Sequence, residues 1–310
     1  MDDDHMPMLV HRQSEYEQLV ETCWYREGKV NRSPFPRLLP FSQLLPLCCS
    51  DIRNYINYCC NFMEDNSREQ AVIYNVLTES LDKLLIDCVN QVLLEGLRGR
   101  SLEQIVQTLI NFEHFRNACD QIEVKLQDVF YGVYQPVHLL AKERFEESRR
   151  IAEKHIYEVV NEKIDGLSEL AEYDWTTTQR RQQPSTYLRD MVDFLSNVMD
   201  STLVNLPDEI KGFMYLEALD HLARSLMEML LSVPRISDAA LANFRIDVQF
   251  LDRFVQRIGD PKLFATFDEV RESTNLMMSA TPHEEYQSVD LRMRNYSQVK
   301  GQNVPRLLEK

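Results

Sequence analysis

Residues 102–130 read LEQIVQTLINFEHFRNACDQIEVKLQDVF, and this stretch decides the fold class. It contains no Gly or Pro, and its apolar residues recur every third or fourth position, which is the spacing of one face of an α-helix. Ser101 and Gln104 have the capping-box pattern that begins a helix. The sequence therefore predicts a long helix with a buried stripe of Leu102, Ile105, Leu109, Phe112, Phe115, Cys119, Ile122, Leu126 and Val129.

Similar helical patterns extend on both sides of this stretch. The whole chain has only 8 Gly in 310 residues, so long segments contain no backbone breaker. Pro207, Pro234 and Pro261 punctuate the second half at or near first turns, where Pro is tolerated. We predict helices at about 46–63, 67–96, 137–174, 185–205, 207–233, 237–259 and 261–279, with Ser67 and Ser237 among the caps.

The pattern predicts an all-α protein: an elongated rod of two stacked helical bundles made of long antiparallel helices. Four prolines in residues 28–46 indicate an extended apolar connector. The polar run 176–184 is the predicted domain boundary. The expected divisions are 1–45 (short helix and Pro-rich apolar strap), 46–175 (first bundle), 176–184 (linker), 185–280 (second bundle) and 281–310 (partly ordered segment).

Charge and cysteine usage restrict the classes of partner. The formal net charge of −15 disfavours binding to nucleic acid or to anionic lipid, and no apolar run is long enough to span a bilayer. The acidic start does not fit a signal peptide, and the apolar end predicts that the chain belongs to something longer. The seven cysteines include no CxxC pair, which indicates a reducing compartment.

No arrangement of residues indicates catalysis or a cofactor. Phosphate-binding glycine loops, the GxSxG pattern and HExxH are absent. The carboxylates around Glu146 alternate with basic residues, as on a solvated helix face. Cys119 and His114 are residue types found in catalytic thiol sites, but the helix directs them away from each other. We therefore interpret both as residues that pack in the core. We expect no enzyme, no metal and no cofactor.

Four stretches together resemble a known family in their order along the chain. They are SPFPRLLPFSQ (Ser33–Gln43), AEYDW (Ala171–Trp175), HLARSLMEMLL (His221–Leu231) and NFRIDVQFLDRF (Asn243–Phe254). In this order the chain resembles the C-terminal half of the exocyst subunit Sec-fifteen, also called exocyst complex component six. The similarity covers nearly the whole chain. The individual stretches are patterns of helix-packing residues and not catalytic signatures.

The resemblance implies a function in exocytosis. The exocyst tethers secretory vesicles to the plasma membrane before fusion, and this subunit receives a GTP-loaded Rab GTPase of recycling endosomes or secretory vesicles. It also contacts other exocyst subunits. The implied location is cytoplasmic, peripheral on vesicles and at exocytic sites of the plasma membrane. We expect a monomer in isolation, without nucleic acid and without direct membrane insertion.

A Rab in its GTP state presents an ordered apolar surface, so its effector needs exposed apolar groups with a polar rim. Residues 261–279 have that composition, although the same side chains could instead pack on Phe254 and Ile258. Two other classes stay open. A scaffold that only packs against exocyst subunits would be favoured by a long solvent-facing apolar groove on the first bundle rather than the second. A membrane-surface binder would need a dense Lys/Arg patch at one end of the rod. The candidate Rab-binding residues are Phe264, Phe267, Val270, Arg271, Asn275 and Met277.

Overall fold

The computed structural model describes residues 7–23, 34–65, 70–129 and 137–310. These residues are mostly helical, which confirms the predicted all-α class. The chain divides into two compact units, residues 1–156 and 157–310. The division falls inside a helix, whereas the sequence placed a boundary at 176–184, which lies within the second unit.

The first unit is organised around α2. Helices α1, α3 and α5 each pack against α2, and β1 pairs with β2 antiparallel, with Leu9 opposite Leu38. Helix α6 begins in this unit and continues into the second. The elements are β1 (Leu9–Val10), α1 (Gln13–Thr22), β2 (Arg37–Leu38), α2 (Leu44–Asp65), α3 (Gln70–Lys83), a π-helical turn (Leu84–Asn90), α4 (Gln91–Glu95), α5 (Leu102–Val129) and α6 (Leu140–Glu169).

Helix α5 confirms the predicted capping box and most of the predicted stripe. The Ser101 amide donates to the Gln104 side chain at 3.2 Å, and the Gln104 amide donates to Ser101 Oγ at 3.4 Å. Every stripe residue from Ile105 to Leu126 is buried, whereas Val129 is exposed. Residues 105–112 are all buried, so this part of α5 is enclosed on every side and carries buried polar side chains.

The second unit places α9 between α7 and α10, and α10 also contacts α8 and α13. Ser237 caps α9 as predicted, and Gly259, with a φ of 78°, ends it in the left-handed conformation that Gly adopts without strain. Its elements after α6 are α7 (Thr186–Asn197), a π-helical turn (Val198–Thr202), α8 (Asp208–Ser232), α9 (Asp238–Ile258), a 3₁₀ turn (Pro261–Leu263), α10 (Asp268–Met277), α11 (Pro282–Gln287), α12 (Val289–Asn295) and α13 (Val304–Leu308).

The structure differs from the predicted helix at 261–279. The Asp260 side chain accepts from the Lys262 amide and begins a 3₁₀ turn, and the Thr266 hydroxyl donates to the Leu263 carbonyl at 2.8 Å. Residues 264–267 therefore form turns, and α10 begins only at Asp268. The Ser67 cap lies outside the described residues.

The segment 281–310, predicted as partly ordered, contains α11, α12 and α13. Its Tyr296, Val299, Val304 and Leu307 are buried, because α13 packs on α10. The Lys310 ammonium donates to the carbonyls of Leu230, at 2.6 Å, and Val233, near the end of α8. This segment is thus part of the second unit's packing.

Candidate interaction surface

The six predicted Rab-binding residues are divided between core and surface. Phe267 and Val270 are each 1% exposed, so their side chains contribute to the core of the second unit. Phe264 is 47% exposed and lies in the turn before α10. Arg271, Asn275 and Met277 are half-buried. A surface contact can therefore involve four of the six side chains but not Phe267 or Val270.

Arg271 connects α10 to α9. Its guanidinium bonds to the Asp268 carboxylate, and Nη1 lies 3.5 Å from Asp252 Oδ2. Burial raises the pKa of Asp252, and the charge of Arg271 opposes that shift. The ion pair fixes the direction of the Arg271 side chain across the groove between the two helices.

A small cleft lies between α9 and α10, with a volume of about 80 Å³. Asn275 lies one helical turn beyond Arg271 on the same face of α10, and Met278, 40% exposed, continues that face. We call this the α9–α10 surface; it comprises Asp252 together with the residues lining the cleft, which are Arg245, Val248, Gln249, Arg271, Thr274 and Asn275.

A buried polar cluster that the sequence patterns did not predict lies on the opposite side of α9. Residues 171–185, which we call the second strap, cross this side without regular helix. Asp247 is buried and accepts from Tyr173 Oη, from Arg181 Nη2 at 2.9 Å and from the Ser185 amide at 2.6 Å. Asn243, one turn earlier, accepts from the Arg181 amide at 2.6 Å and donates to the Gln179 carbonyl at 3.0 Å.

Aromatic rings close this cluster. Tyr173 stacks on Trp175 at 4.7 Å and meets Phe244 and Tyr187 edge-on. Two of the stretches that carried the family resemblance, AEYDW and NFRIDVQF, therefore meet in space. The side chains of these two stretches attach the second strap to α9, so part of the resemblance reflects folding.

The first unit contains a comparable attachment. Residues 34–43, which we call the first strap, cross α5. Asn111 accepts from the Ser42 amide at 3.1 Å and donates to Ser42 Oγ at 2.9 Å. Gln107, one turn earlier, donates to the Pro40 carbonyl at 2.9 Å. The predicted apolar strap thus buries Leu39 and Phe41 but leaves Leu38 57% exposed.

Exposed apolar side chains of the first unit lie near the end of the α2–α3 hairpin. Tyr58 and Phe62 are 75% and 58% exposed on α2, and Val72 and Val76 are 60% and 58% exposed on α3. Each pair is one helical turn apart, which places its two members on one face of their helix. We call these four side chains the hairpin patch.

The residues that suggested chemistry are packed. Burial lowers the pKa of His114 to about 4 and raises the pKa of the Cys119 thiol. Cys23, Cys49 and Cys119 are buried, whereas Cys88 is exposed. Across the part of the chain that the structure describes, no group of three or more His, Cys, Asp or Glu is arranged to hold a metal. No helix in those same ranges is long and apolar enough to cross a membrane.

Comparison with known proteins identifies the family. The family model described as exocyst complex subunit Sec15 C-terminal matches residues 1–310. The chain is 28% identical to exocyst complex component sec15 of Schizosaccharomyces pombe, over 99% of this chain and 41% of that protein. It is 29% identical to exocyst complex component 6 of Homo sapiens, over 89% of this chain and 36% of that protein.

The chain thus spans about two fifths of the length of these curated relatives. A solved structure described as a Sec15 C-terminal domain has a TM-score of 0.64 and 20% identity, and the match covers 89% of each chain. That likeness agrees with the helical fold described above. The chain belongs to the Sec15 C-terminal family of exocyst complex subunits.

Proposed function

We propose that this domain acts in vesicle tethering during exocytosis as an effector that binds a GTP-loaded Rab GTPase of recycling endosomes or secretory vesicles. It acts by binding and not by catalysis. The corresponding location is cytoplasmic, peripheral on vesicles and at exocytic sites of the plasma membrane. Other exocyst subunits are its further partners.

The observation that carries the proposal is the composition around α10. Phe264 exposes an aromatic ring in the turn before the helix, and the half-buried Arg271 and Asn275 line the cleft between α9 and α10. The ordered switch loops of a GTP-loaded Rab offer apolar side chains and backbone groups. An exposed aromatic side chain together with hydrogen-bonding side chains in the same unit fits such a surface. Asn275 can bond a switch backbone in the cleft beside Arg271.

The test measures binding to one recycling-endosome Rab loaded with a non-hydrolysable GTP analogue or with GDP, at matched salt. Binding of the GTP form alone is expected. Phe264→Ala and Asn275→Ala should each weaken it by about tenfold, the loss typical of a residue at the centre of an interface. Phe267→Ala is unsuitable, because Phe267 is buried and its loss would disturb the fold.

Matched controls are available in the same unit. Phe213 on α8 is 54% exposed, and Asn295 at the end of α12 is exposed. Phe213→Ala and Asn295→Ala should leave the affinity unchanged. Equal affinity for the two nucleotide states would argue against the effector function, and full affinity in both Phe264→Ala and Asn275→Ala would argue against this site.

The hairpin patch favours a second candidate function, a scaffold that only packs against other exocyst subunits. Its four apolar side chains are exposed in the first unit, where the sequence analysis placed the discriminating feature. Exposed apolar clusters mark protein-binding surfaces. Two results together would favour the scaffold. The unmodified protein would bind no Rab, and the double variant Tyr58→Ser/Phe62→Ser would no longer assemble with exocyst subunits.

A further inference from the structure

We propose that one face of α9 binds an acidic segment of a partner protein. The face comprises Arg245, Gln249, Arg253, Gln256 and Arg257, and we call it the α9 arginine face. Its partner is defined by charge and not by nucleotide state, so the inference does not rest on the proposed Rab binding.

Helical geometry places these five side chains on one continuous surface. At 100° per residue they fall within about a third of the helix circumference. Arg245, Arg253, Gln256 and Arg257 are exposed, and Gln249 is half-buried. Asn243 and Asp247, which hold the second strap, lie outside this third of the circumference. The arginine face therefore lies away from that buried cluster.

Within the described part of the chain, the three arginines have no acidic partner, whereas the two acids in the same part of α9, Asp247 and Asp252, are already paired. Among the described residues, Arg245, Arg253 and Arg257 form no ion pair; Arg257 lies over the Phe254 ring at 5.9 Å. Asp247 bonds to Arg181, and Asp252 pairs with Arg271. Three uncompensated positive charges on one helix face are notable in a chain with a net charge of −15. This local excess attracts an acidic ligand.

The shape of the face favours a protein segment. Arg245 and Gln249 line the cleft of about 80 Å³ together with Arg271 and Asn275. This cleft can receive a single carboxylate side chain. From Arg245 to Arg257 the face is on the order of 18 Å long, about the span of six extended residues. The glutamines between the arginines can bond a peptide backbone, while the arginines bond carboxylates.

A flat anionic membrane fits less well. It would contact much more of the molecule than this face, and the net charge of −15 would be repelled. A peptide can occupy the face without meeting the surrounding acidic surface. The experiment must therefore distinguish binding to a membrane from binding to a protein segment.

The experiment titrates the full chain with a fluorescein-labelled poly-glutamate peptide at low salt and follows anisotropy. The double variant Arg245→Glu/Arg253→Glu should bind at least about tenfold more weakly, with a shallower salt dependence, because two charges of the face are reversed. The control Arg189→Glu/Arg235→Glu makes the same change in net charge at exposed positions of α7 and of the loop before α9, and should change the affinity by less than about twofold.

Circular dichroism melting of both variants establishes that they are folded, since all four positions are exposed. Absence of peptide binding by the unmodified chain, or an equal loss in both double variants, would overturn the proposal. Co-sedimentation with phosphatidylserine vesicles is the second arm. Sedimentation that depends on the α9 arginines, without peptide binding, would assign the face to membranes and overturn the protein-segment proposal.

Discussion

The two units attach an irregular segment to a long helix by the same device but with different charges. In the first unit, Gln107 and Asn111 lie one turn apart on α5 and bond the first strap. In the second unit, Asn243 and Asp247 lie one turn apart on α9 and bond the second strap. Neutral amides suffice on α5, whereas α9 uses a buried carboxylate that also requires Arg181.

Both attachments cover a helix face with a chain segment that is not helical. Backbone N–H and C=O groups of a buried strap need partners, because an unpaired buried group costs about as much as a lost hydrogen bond. A polar pair at i and i+4 supplies donors and acceptors along the strap. The charged attachment on α9 forms more hydrogen bonds than the neutral one on α5. Removal of one of its members should therefore lower the free energy of unfolding by more.

Removal of the charged member should have the largest effect. Asp247→Ala is expected to cost about 3–5 kcal/mol of unfolding free energy, because Arg181, Tyr173 and the Ser185 amide lose their shared acceptor. In a Trp24→Phe background, Trp175 is the only tryptophan and reports this unit in denaturant titrations. Asp252→Ala is the control on the same helix. Equal losses in the two variants would contradict the special role of Asp247.

Acid should weaken the first unit through His114, whose ring meets Phe41 of the first strap edge-on at 5.1 Å. Because the folded pKa is lowered from 6.5 to about 4, the unfolded chain takes up the proton first as pH falls. The contribution of neutral His114 to the free energy of unfolding is fully present above pH 6.5. It falls by on the order of 3 kcal/mol as the pH is lowered toward 4. His114→Phe should flatten that slope in urea titrations; an unchanged slope would exclude His114 as its source.

Loss of the neutral member should cost less than loss of Asp247. Asn111→Ala removes two hydrogen bonds to Ser42 and leaves the buried Ser42 amide without this acceptor, for an expected cost of about 2 kcal/mol. Hydrogen-exchange mass spectrometry should show faster exchange in residues 34–43 and unchanged exchange in 171–185. Faster exchange in the second strap would mean that the attachments are not independent.

The two serine caps should differ, and the cap of α5 should give the smallest effect of the series. Ser101→Ala removes the cap of α5 and should cost about 1 kcal/mol. Ser237→Ala removes the cap of α9 and also a bond from Ser237 Oγ to the Thr177 carbonyl at 2.6 Å, so about 2 kcal/mol is expected. Thermal or urea unfolding measures both. Equal costs would show that the bond to the second strap contributes nothing.

Local sequence patterns predict most of the long helices and several of their ends. The apolar spacing of α5 and α9 fixes which face is buried, and the caps at Ser101 and Ser237 act within one turn, so both are local properties. The order of the resembling stretches also indicated the family. These features need no knowledge of what lies across the core.

Local patterns could not predict the strap contacts or the burial around α10, because both depend on residues far apart in the chain. Nothing in the local spacing shows that Asn111 and Asp247 face a strap, since their partners lie 69 and up to 74 residues away. The burial of Phe267 and Val270 follows from the packing of α8, α9 and α13 around α10, so composition could not separate them from exposed Phe264. Periodicity identifies the face that a helix buries, but long-range contacts determine what covers it and which side chains remain for a partner.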